Sequence, residues 1–158
     1  MKTKILLFIL LQTILTSCDP GFEEKIMITN RTNTTLPVKI IQSIRSHNLF
    51  DLKVGNSQIN LTVKSNDSIF ETEFNLLPNE IFYLWEESSI GKVSMKTRND
   101  GEDKFKEICD SLLIKGVELK QNVYDFNNWD YYFDSDYHGG GKVEYNFKIT
   151  EDKLNYNR

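Results

Sequence analysis

Aromatic and acidic residues are concentrated between Tyr124 and Phe147, and this stretch is the strongest candidate for binding chemistry. It holds nine of the 19 aromatic residues of the chain. A flat aromatic face covers the C–H surface of a sugar ring, and carboxylates accept hydrogen bonds from its hydroxyl groups. The stretch therefore predicts a ligand-binding site, for a carbohydrate in the first instance. The candidate ligand-binding residues are Trp129, Tyr132, Asp134, Asp136, Tyr137 and His138.

A second interpretation of the same stretch is that its aromatic residues fill the core while the acidic residues keep a loop solvated. Tyr145 and Phe147 belong to the core in either case, because they alternate with polar residues as in a half-buried strand. Exposure of Trp129, Tyr132 and Tyr137 separates the two interpretations.

Metal binding and catalysis find little support in the residue spacing. Asp134 and Asp136 offer the oxygen ligands that calcium prefers, but the EF-hand loop with its closing glutamate is absent. Only two histidines occur and there is no H-E-x-x-H sequence, which argues against zinc. Cys109 lies on a predicted apolar helix face, so a buried, unreactive thiol is expected. We predict no metal, no cofactor and no enzymatic activity.

The amino-terminal segment has the organisation of a secretory signal peptide. Lys2 and Lys4 precede an unbroken apolar run from Ile5 to Leu11. The run is shorter than the roughly 20 residues that cross a bilayer, and it is typical of a signal-peptide apolar region. The segment ends on the tetrapeptide Leu15-Thr16-Ser17-Cys18.

This tetrapeptide resembles the lipobox of bacterial lipoproteins, in which an aliphatic residue and two small residues precede the acylated cysteine. The resemblance implies cleavage after Ser17, a diacylglyceryl thioether on Cys18 and a further acyl chain, such as palmitate, on its amino group. Two or three chains anchor a protein stably, whereas one chain binds only marginally. The resemblance thus implies a protein held to a membrane of the Gram-negative cell envelope, the outer rather than the inner one.

A second short pattern concerns modification. Asp67-Ser68-Ile69 resembles the acceptor for O-glycans in some Gram-negative bacteria, which makes Ser68 a candidate O-glycosylation site. A similar triplet at Asp110–Leu112 lies in a segment with helical spacing, in which Leu112 faces the core. This second triplet is therefore not proposed as an acceptor.

Composition predicts one folded, mainly β domain. The part after Ser17 comprises 141 of the 158 residues, which is the size of a single domain. Leu, Ile, Val and Phe make up 39 of them, well above the share of roughly 20% below which chains are disordered. The chain has no alanine but 15 asparagines, which argues against a helical bundle.

The hydrophobic pattern predicts strands with one exception. Apolar residues alternate with polar ones through most of the chain, between turn clusters rich in Asn, Asp and Gly. The exception has helical spacing and predicts one helix over 102–115, with Asp100 as its N-cap and Gly116 as its C-cap. The helical face consists of Phe105, Ile108, Cys109, Leu112 and Leu113. The expected fold is an antiparallel β-sandwich, immunoglobulin-like, or a barrel, with about eight to ten strands.

The predicted boundaries are a signal peptide at 1–17, a lipidated cysteine with a short tether at 18–24, a β-domain at 25–150 and a polar tail at 151–158. Of 19 basic and 23 acidic residues, Lys2 and Lys4 lie in the leader, so the remainder carries a formal charge of −6. This excludes a strongly basic nucleic-acid binder.

The leading functional hypothesis is a non-catalytic binding or structural domain that is anchored to a membrane and meets a glycan or protein partner in the envelope. One alternative is a carbohydrate-binding module that uses residues 124–138. Another is an immunity-type inhibitor, whose acidic charge suits a basic toxin.

Overall fold

The structure of the protein, a computed structural model, describes residues 21–43, 53–54, 62–65, 69–90, 93–135 and 140–156. Several predictions lie outside these residues: the signal peptide, Cys18, Ser68, and the candidate ligand-binding residues Asp136, Tyr137 and His138.

Eleven strands and one α-helix make up the described part of the chain. The strands are β1 (Gly21–Asn30), β2 (Leu36–Ser43), β3 (Lys53–Val54), β4 (Thr62–Ser65), β5 (Ile69–Leu76), β6 (Ile81–Ile90), β7 (Ser111–Ile114), β8 (Val117–Leu119), β9 (Asp130–Ser135), β10 (Gly141–Ile149) and β11 (Leu154–Tyr156). The helix, α1 (Arg98–Ile108), lies between β6 and β7. Short 3-10 turns at Phe126–Asn128 and Glu151–Lys153 precede β9 and β11.

The strands form two sheets. Sheet A has the order β3-β6-β1-β10-β9, and sheet B has the order β11-β8-β7-β2-β5-β4. Their neighbouring strands are antiparallel, except that β1 and β10 are parallel. This pair is compatible with the chain because a long crossover through sheet B and α1 separates the two strands. The predicted mainly β, sandwich-like class is confirmed, and the sheets are not closed into a barrel. The immunoglobulin-like connectivity stays a prediction.

The two sheets face each other across one hydrophobic core. Alternate residues from Val143 to Ile149 on β10 are fully buried, while the residues between them are partly exposed. Phe74 of sheet B and Phe82 of sheet A are in contact, with their ring centroids 4.3 Å apart. The period-two pattern of the sequence thus gives each sheet its buried face.

The helix begins earlier and ends earlier than predicted. Thr97 is its N-cap, since its hydroxyl accepts a hydrogen bond from the Asp100 N–H. The Asp100 carboxylate accepts in return from the Thr97 N–H at 2.7 Å. This reciprocal capping box satisfies two backbone donors and fixes the first turn. The predicted range 102–115, with Asp100 as the N-cap itself, is therefore wrong.

The second half of the predicted helix is a strand. Leu112 and Leu113 continue the helical spacing, but they belong to β7, which pairs with β2 in the register Ile40↔Leu112. Leu112 is consequently buried and Leu113 points outward, about half exposed. Gly116, predicted as a C-cap, has φ +76° in the turn between β7 and β8. Pairing with a distant strand overrides local spacing here.

Both predicted ends of the domain are also wrong. β1 begins at Gly21, so the supposed tether residues Glu23 and Glu24 belong to the central strand of sheet A. At the other end, β11 pairs with β8, and its Leu154 is only 4% exposed. Residues 151–156 of the predicted tail are therefore part of the sandwich, where Leu154 covers the edge of sheet B.

Candidate functional site

The aromatic stretch is divided by the fold into a buried half and an exposed half. Trp129 lies in the buried half and is only 2% exposed. Its indole Nε1 donates to the Val123 carbonyl at 2.8 Å, and its ring stacks on Phe126 with centroids 4.4 Å apart. The prediction that Trp129 is an exposed ligand-binding residue is therefore wrong. The 3-10 turn at Phe126–Asn128 directs this side chain inward, which strand periodicity does not show.

The buried half joins α1 to sheet A. Phe105 of the helix contacts Tyr124, Phe126 and Trp129 at centroid distances between 5.3 and 5.8 Å. The Arg98 guanidinium donates to the carbonyls of Phe126 and Trp129 at 2.8 and 2.5 Å. These aromatic residues are therefore the packing surface of the helix, as the core interpretation of the stretch predicts.

The exposed half is β9, the edge strand of sheet A in the described part of the chain. Tyr132 is 50% exposed and lies opposite Glu144 of β10, on the face of sheet A that points away from the core. Asp134 is exposed on the same face, opposite Lys142, and the Tyr132 hydroxyl lies 3.4 Å from its Oδ2. The structure thus brings Tyr132 and Asp134 together and separates both from Trp129.

A groove of about 220 Å³ lies on this outer face, across β9, β10 and β1. Its aromatic wall is Tyr132, and its floor includes Met27 and Asn146, which are neighbours in the β1–β10 register. Asn146 Oδ1 accepts a hydrogen bond of 2.9 Å from the Thr29 hydroxyl, which fixes the amide. The groove is lined by Met27, Asp130, Tyr131, Tyr132, Glu144, Asn146 and Lys148.

The charges around this groove are paired with one another. Lys148 Nζ lies 2.6 Å from Asp130 Oδ2, and Lys142 Nζ lies 2.9 Å from Glu144 Oε1. The hydrogen bond that the Lys142 ammonium donates to Glu144 raises the pKa of Lys142 above its ordinary value. The arrangement offers an aromatic face beside an amide and paired charges, which is the chemistry of a neutral polar ligand such as a sugar.

Gly141 is required where β9 and β10 meet. Its φ is +150°, and a Cβ there would lie 2.2 Å from the Asp134 carbonyl oxygen. Any larger residue would push apart the two strands that form the wall and floor of the groove. The glycine run, predicted as a hairpin connection, thus ends in a residue with a steric role.

Sequence reasoning missed the buried carboxylate of Glu24. It is fully buried and accepts hydrogen bonds from the Ser94 hydroxyl at 2.8 and 3.0 Å, from the Met95 N–H at 2.9 Å, and from the Ser94 N–H. It thereby ties the start of β1 to the segment that leads into α1. The signal was present, since Glu24, Ile26 and Ile28 alternate along one face of the strand.

A second groove, of about 360 Å³, lies at the edge of sheet B between the β7–β8 hairpin and residues 121–124. Its walls are mainly apolar and include Leu112, Val117 and Leu119. The Gln121 side-chain oxygen is buried, and none of the residues that the structure describes donates a hydrogen bond to it. The sequence does not reveal this groove, because Leu112 and Leu113 of β7 continue the helical spacing of α1.

Cys109 is buried, as predicted, and burial together with the neighbouring Asp110 charge raises the pKa of its thiol to about 12. Across the residues that the structure describes, no group of three or more His, Cys, Asp or Glu side chains is placed to hold a metal ion.

Comparison with protein-family models, with curated proteins and with solved structures found no match. Within the described ranges, no helix combines the length and apolar character needed to cross a bilayer.

Proposed function

We propose that this protein is a lipid-anchored component of the bacterial cell envelope, with a non-catalytic β-domain that meets a partner there. The lipid anchor is supported by three features in order along the chain. Lys2 and Lys4 come first, the apolar run Ile5–Leu11 follows, and the tetrapeptide Leu15-Thr16-Ser17-Cys18 comes last. Position in the chain supports it, since the box directly precedes a folded domain that begins at Gly21. Acylation of Cys18 supplies the two or more chains that hold a protein at a membrane.

Replacement of Cys18 tests the anchor. Cys18→Ala is expected to abolish labelling by a palmitate analogue and to leave an unprocessed precursor, because the thioether that precedes cleavage cannot form. Metabolic labelling and membrane fractionation measure both effects. Cys109→Ala is the matched control, since it removes the chain's other cysteine and should leave labelling intact. Normal labelling and processing of Cys18→Ala would contradict the proposal.

For the role of the domain, we propose binding at the groove on the outer face of sheet A. Tyr132 supports this role because it is half exposed. It lies beside the hydrogen-bonded amide of Asn146 and beside carboxylates that form ion pairs with lysines. A carbohydrate is the favoured ligand, since a sugar ring can cover Tyr132 while its hydroxyls meet Asn146, Asp130 and Glu144. The ion pairs on Asp130 and Glu144 suit a binding surface rather than a pair of catalytic acids.

Replacement of Tyr132 tests this role. Tyr132→Ala is expected to weaken binding to a responsive glycan by about tenfold, since a lost aromatic platform corresponds to roughly 1–2 kcal/mol. Glycan-array screening identifies the ligand, and titration of the purified domain measures its affinity. Leu113→Ala, which alters an exposed apolar side chain on the other sheet, is the control. An array without any binder, or equal affinity in Tyr132→Ala, would exclude a sugar site at this groove.

A further inference from the structure

The central strand of sheet A begins only three residues after the proposed lipid anchor. β1 starts at Gly21, so the Cα atoms of Cys18 and Gly21 are at most about 11 Å apart. Acyl chains on Cys18 would hold that residue at the bilayer surface, where the headgroup layer is only about 5–8 Å thick. We infer that one end of the sandwich rests directly on the lipid headgroups. The inference depends on the proposed lipidation of Cys18.

The strand register identifies the residues at this end. Gly21 pairs with Ile90, Phe22 pairs with Gly141, and Gly141 pairs with Ser135. We call this the anchor end, defined by Gly21, Ile90, Ser135 and Gly141. It brings together the beginnings of β1 and β10 and the ends of β6 and β9.

The chain connects to the lipid anchor from the middle strand of this end, and this position limits how the domain can tilt. β1 is flanked by β6 on one side and β10 on the other, and each neighbouring strand is only about 5 Å away. A tilt in either direction therefore brings the end of one neighbouring strand closer to the lipid. A strand at the rim of the sheet would allow the domain to lie on its side.

Ile90 is the apolar side chain that the anchor end presents. It is 69% exposed, the largest exposed fraction among the large hydrophobic residues described. Single exposed apolar residues are common on protein surfaces. Contact with the membrane therefore follows from the short distance between Cys18 and Gly21, and Ile90 marks the point of contact. At the boundary between headgroups and acyl chains, an isoleucine side chain is removed from water.

The opposite end of sheet A lies beyond the reach of the membrane. β1 runs over ten residues to Asn30, which corresponds to about 30 Å. Asn79 donates a hydrogen bond of 2.8 Å to the Asn30 carbonyl, so the turn at Leu77–Asn79 marks this distal end. Leu77 is 53% exposed there and supplies a matched apolar position for comparison.

This orientation determines how a partner reaches the proposed groove. Met27, in its floor, is six residues beyond Gly21 along β1, or about 20 Å from the anchor end. The groove opens on the side of the domain, so a partner approaches along the membrane plane.

Fluorescence quenching tests the orientation. The mature, lipidated protein is placed in phosphatidylcholine vesicles after an environment-sensitive fluorophore is attached to Ile90→Cys or to Leu77→Cys. Cys109 is buried, so labelling is confined to the new thiol. Lipids that carry a headgroup nitroxide are expected to quench the probe at position 90 several-fold more strongly than the probe at position 77. Thermal melts verify folding, and Ser88→Cys, at a nearby exposed position on β6, provides a second anchor-end probe.

A spacer variant separates this inference from the anchor itself. Twelve Gly and Ser residues inserted between Pro20 and Gly21 extend the tether by about 20 Å on average. Quenching at position 90 should then fall towards the value at position 77, while palmitate labelling of Cys18 is unchanged. Equal quenching at both positions in the lipidated parent protein, or quenching that the spacer does not alter, would overturn the inference and leave the anchor standing. Absence of lipid on Cys18 would instead overturn the proposed function.

Discussion

At the scale of single residues, close packing around buried positions limits which side chains the fold can accept there. Gly101 lies on α1 where a Cβ would come within 2.4 Å of Cε1 of the Tyr145 ring. The Tyr145 hydroxyl in turn donates to the Thr97 carbonyl at 2.5 Å. Glycine is therefore kept in the helix despite its low helix propensity, because it lets the helix approach β10. Cys109, at the end of the same helix, is buried without any role in the proposed site.

The Cys109 thiol is expected to make stability depend on pH. Burial raises the pKa of the folded thiol to about 12, whereas an exposed thiol ionises near 8.5. The contribution of Cys109 to the free energy of unfolding is therefore fully present below about pH 8.5. It is lost as the pH rises towards 12, because the unfolded state then releases a proton that the folded state retains. By pH 10 the loss amounts to about 2 kcal/mol.

Denaturant unfolding at pH 7 and pH 10 measures this dependence. Cys109→Ala is expected to reduce the difference between the two pH values by that amount, and a thiol reagent should react with the parent protein only after unfolding. Identical pH dependence in the parent protein and in Cys109→Ala, with rapid labelling of the folded parent, would contradict the expectation.

At the scale of elements, the edge strands of the two sheets differ in length and in the exposure of their side chains. Among the described strands, sheet B ends on one side with β11, a strand of three residues that covers β8. Sheet A ends with β9, whose outward residues Asp130, Tyr132 and Asp134 are exposed. Charged residues on an edge strand discourage uncontrolled pairing with other chains. The exposed aromatic ring of Tyr132 between two aspartates thus suits a surface for a specific ligand.

Replacement of Leu154 tests the contribution of β11. Leu154→Ala is expected to lower the free energy of unfolding by about 2–3 kcal/mol, because a buried leucine is removed from the edge of the core. Chemical denaturation measures the loss. Leu113→Ala is the matched control, since the same substitution at an exposed position costs at most about 0.5 kcal/mol. Equal denaturation midpoints for the two variants would show that β11 is dispensable.

At the scale of the whole molecule, the outer face of sheet A carries both signs of charge in close pairs. Lys25 lies 3.0 Å from Glu23 and 3.3 Å from Glu86, and the pairs beside the groove continue this pattern. Partly exposed pairs of this kind add little to stability, but they neutralise the face locally. A strongly basic toxin would therefore find less attraction here than the net acidic charge suggests. The face better suits a neutral polar ligand.

The sequence by itself determined the features that depend on local order: the period-two strands from Ile26 to Ile28 and from Val143 to Ile149, and the presence of a helix around Phe105. Each of these follows from neighbouring residues, because a strand exposes alternate side chains and a helix repeats every 3.6 residues. The buried state of Cys109 followed in the same way from its place on the apolar face of the helix.

Only the tertiary structure decided where β7 replaces the helix, why Glu24 is buried, and which aromatic residues reach the solvent. Leu112 fits a helical face and a strand equally well, and pairing with Ile40 of β2 selects the strand. Trp129 and Tyr132 are three residues apart, yet a 3-10 turn buries the first, and the edge position of β9 exposes the second. Contacts between residues far apart in the chain set these outcomes. For Leu112 and Trp129 these contacts leave no periodic trace in the sequence, whereas Glu24 shares the alternation of Ile26 and Ile28.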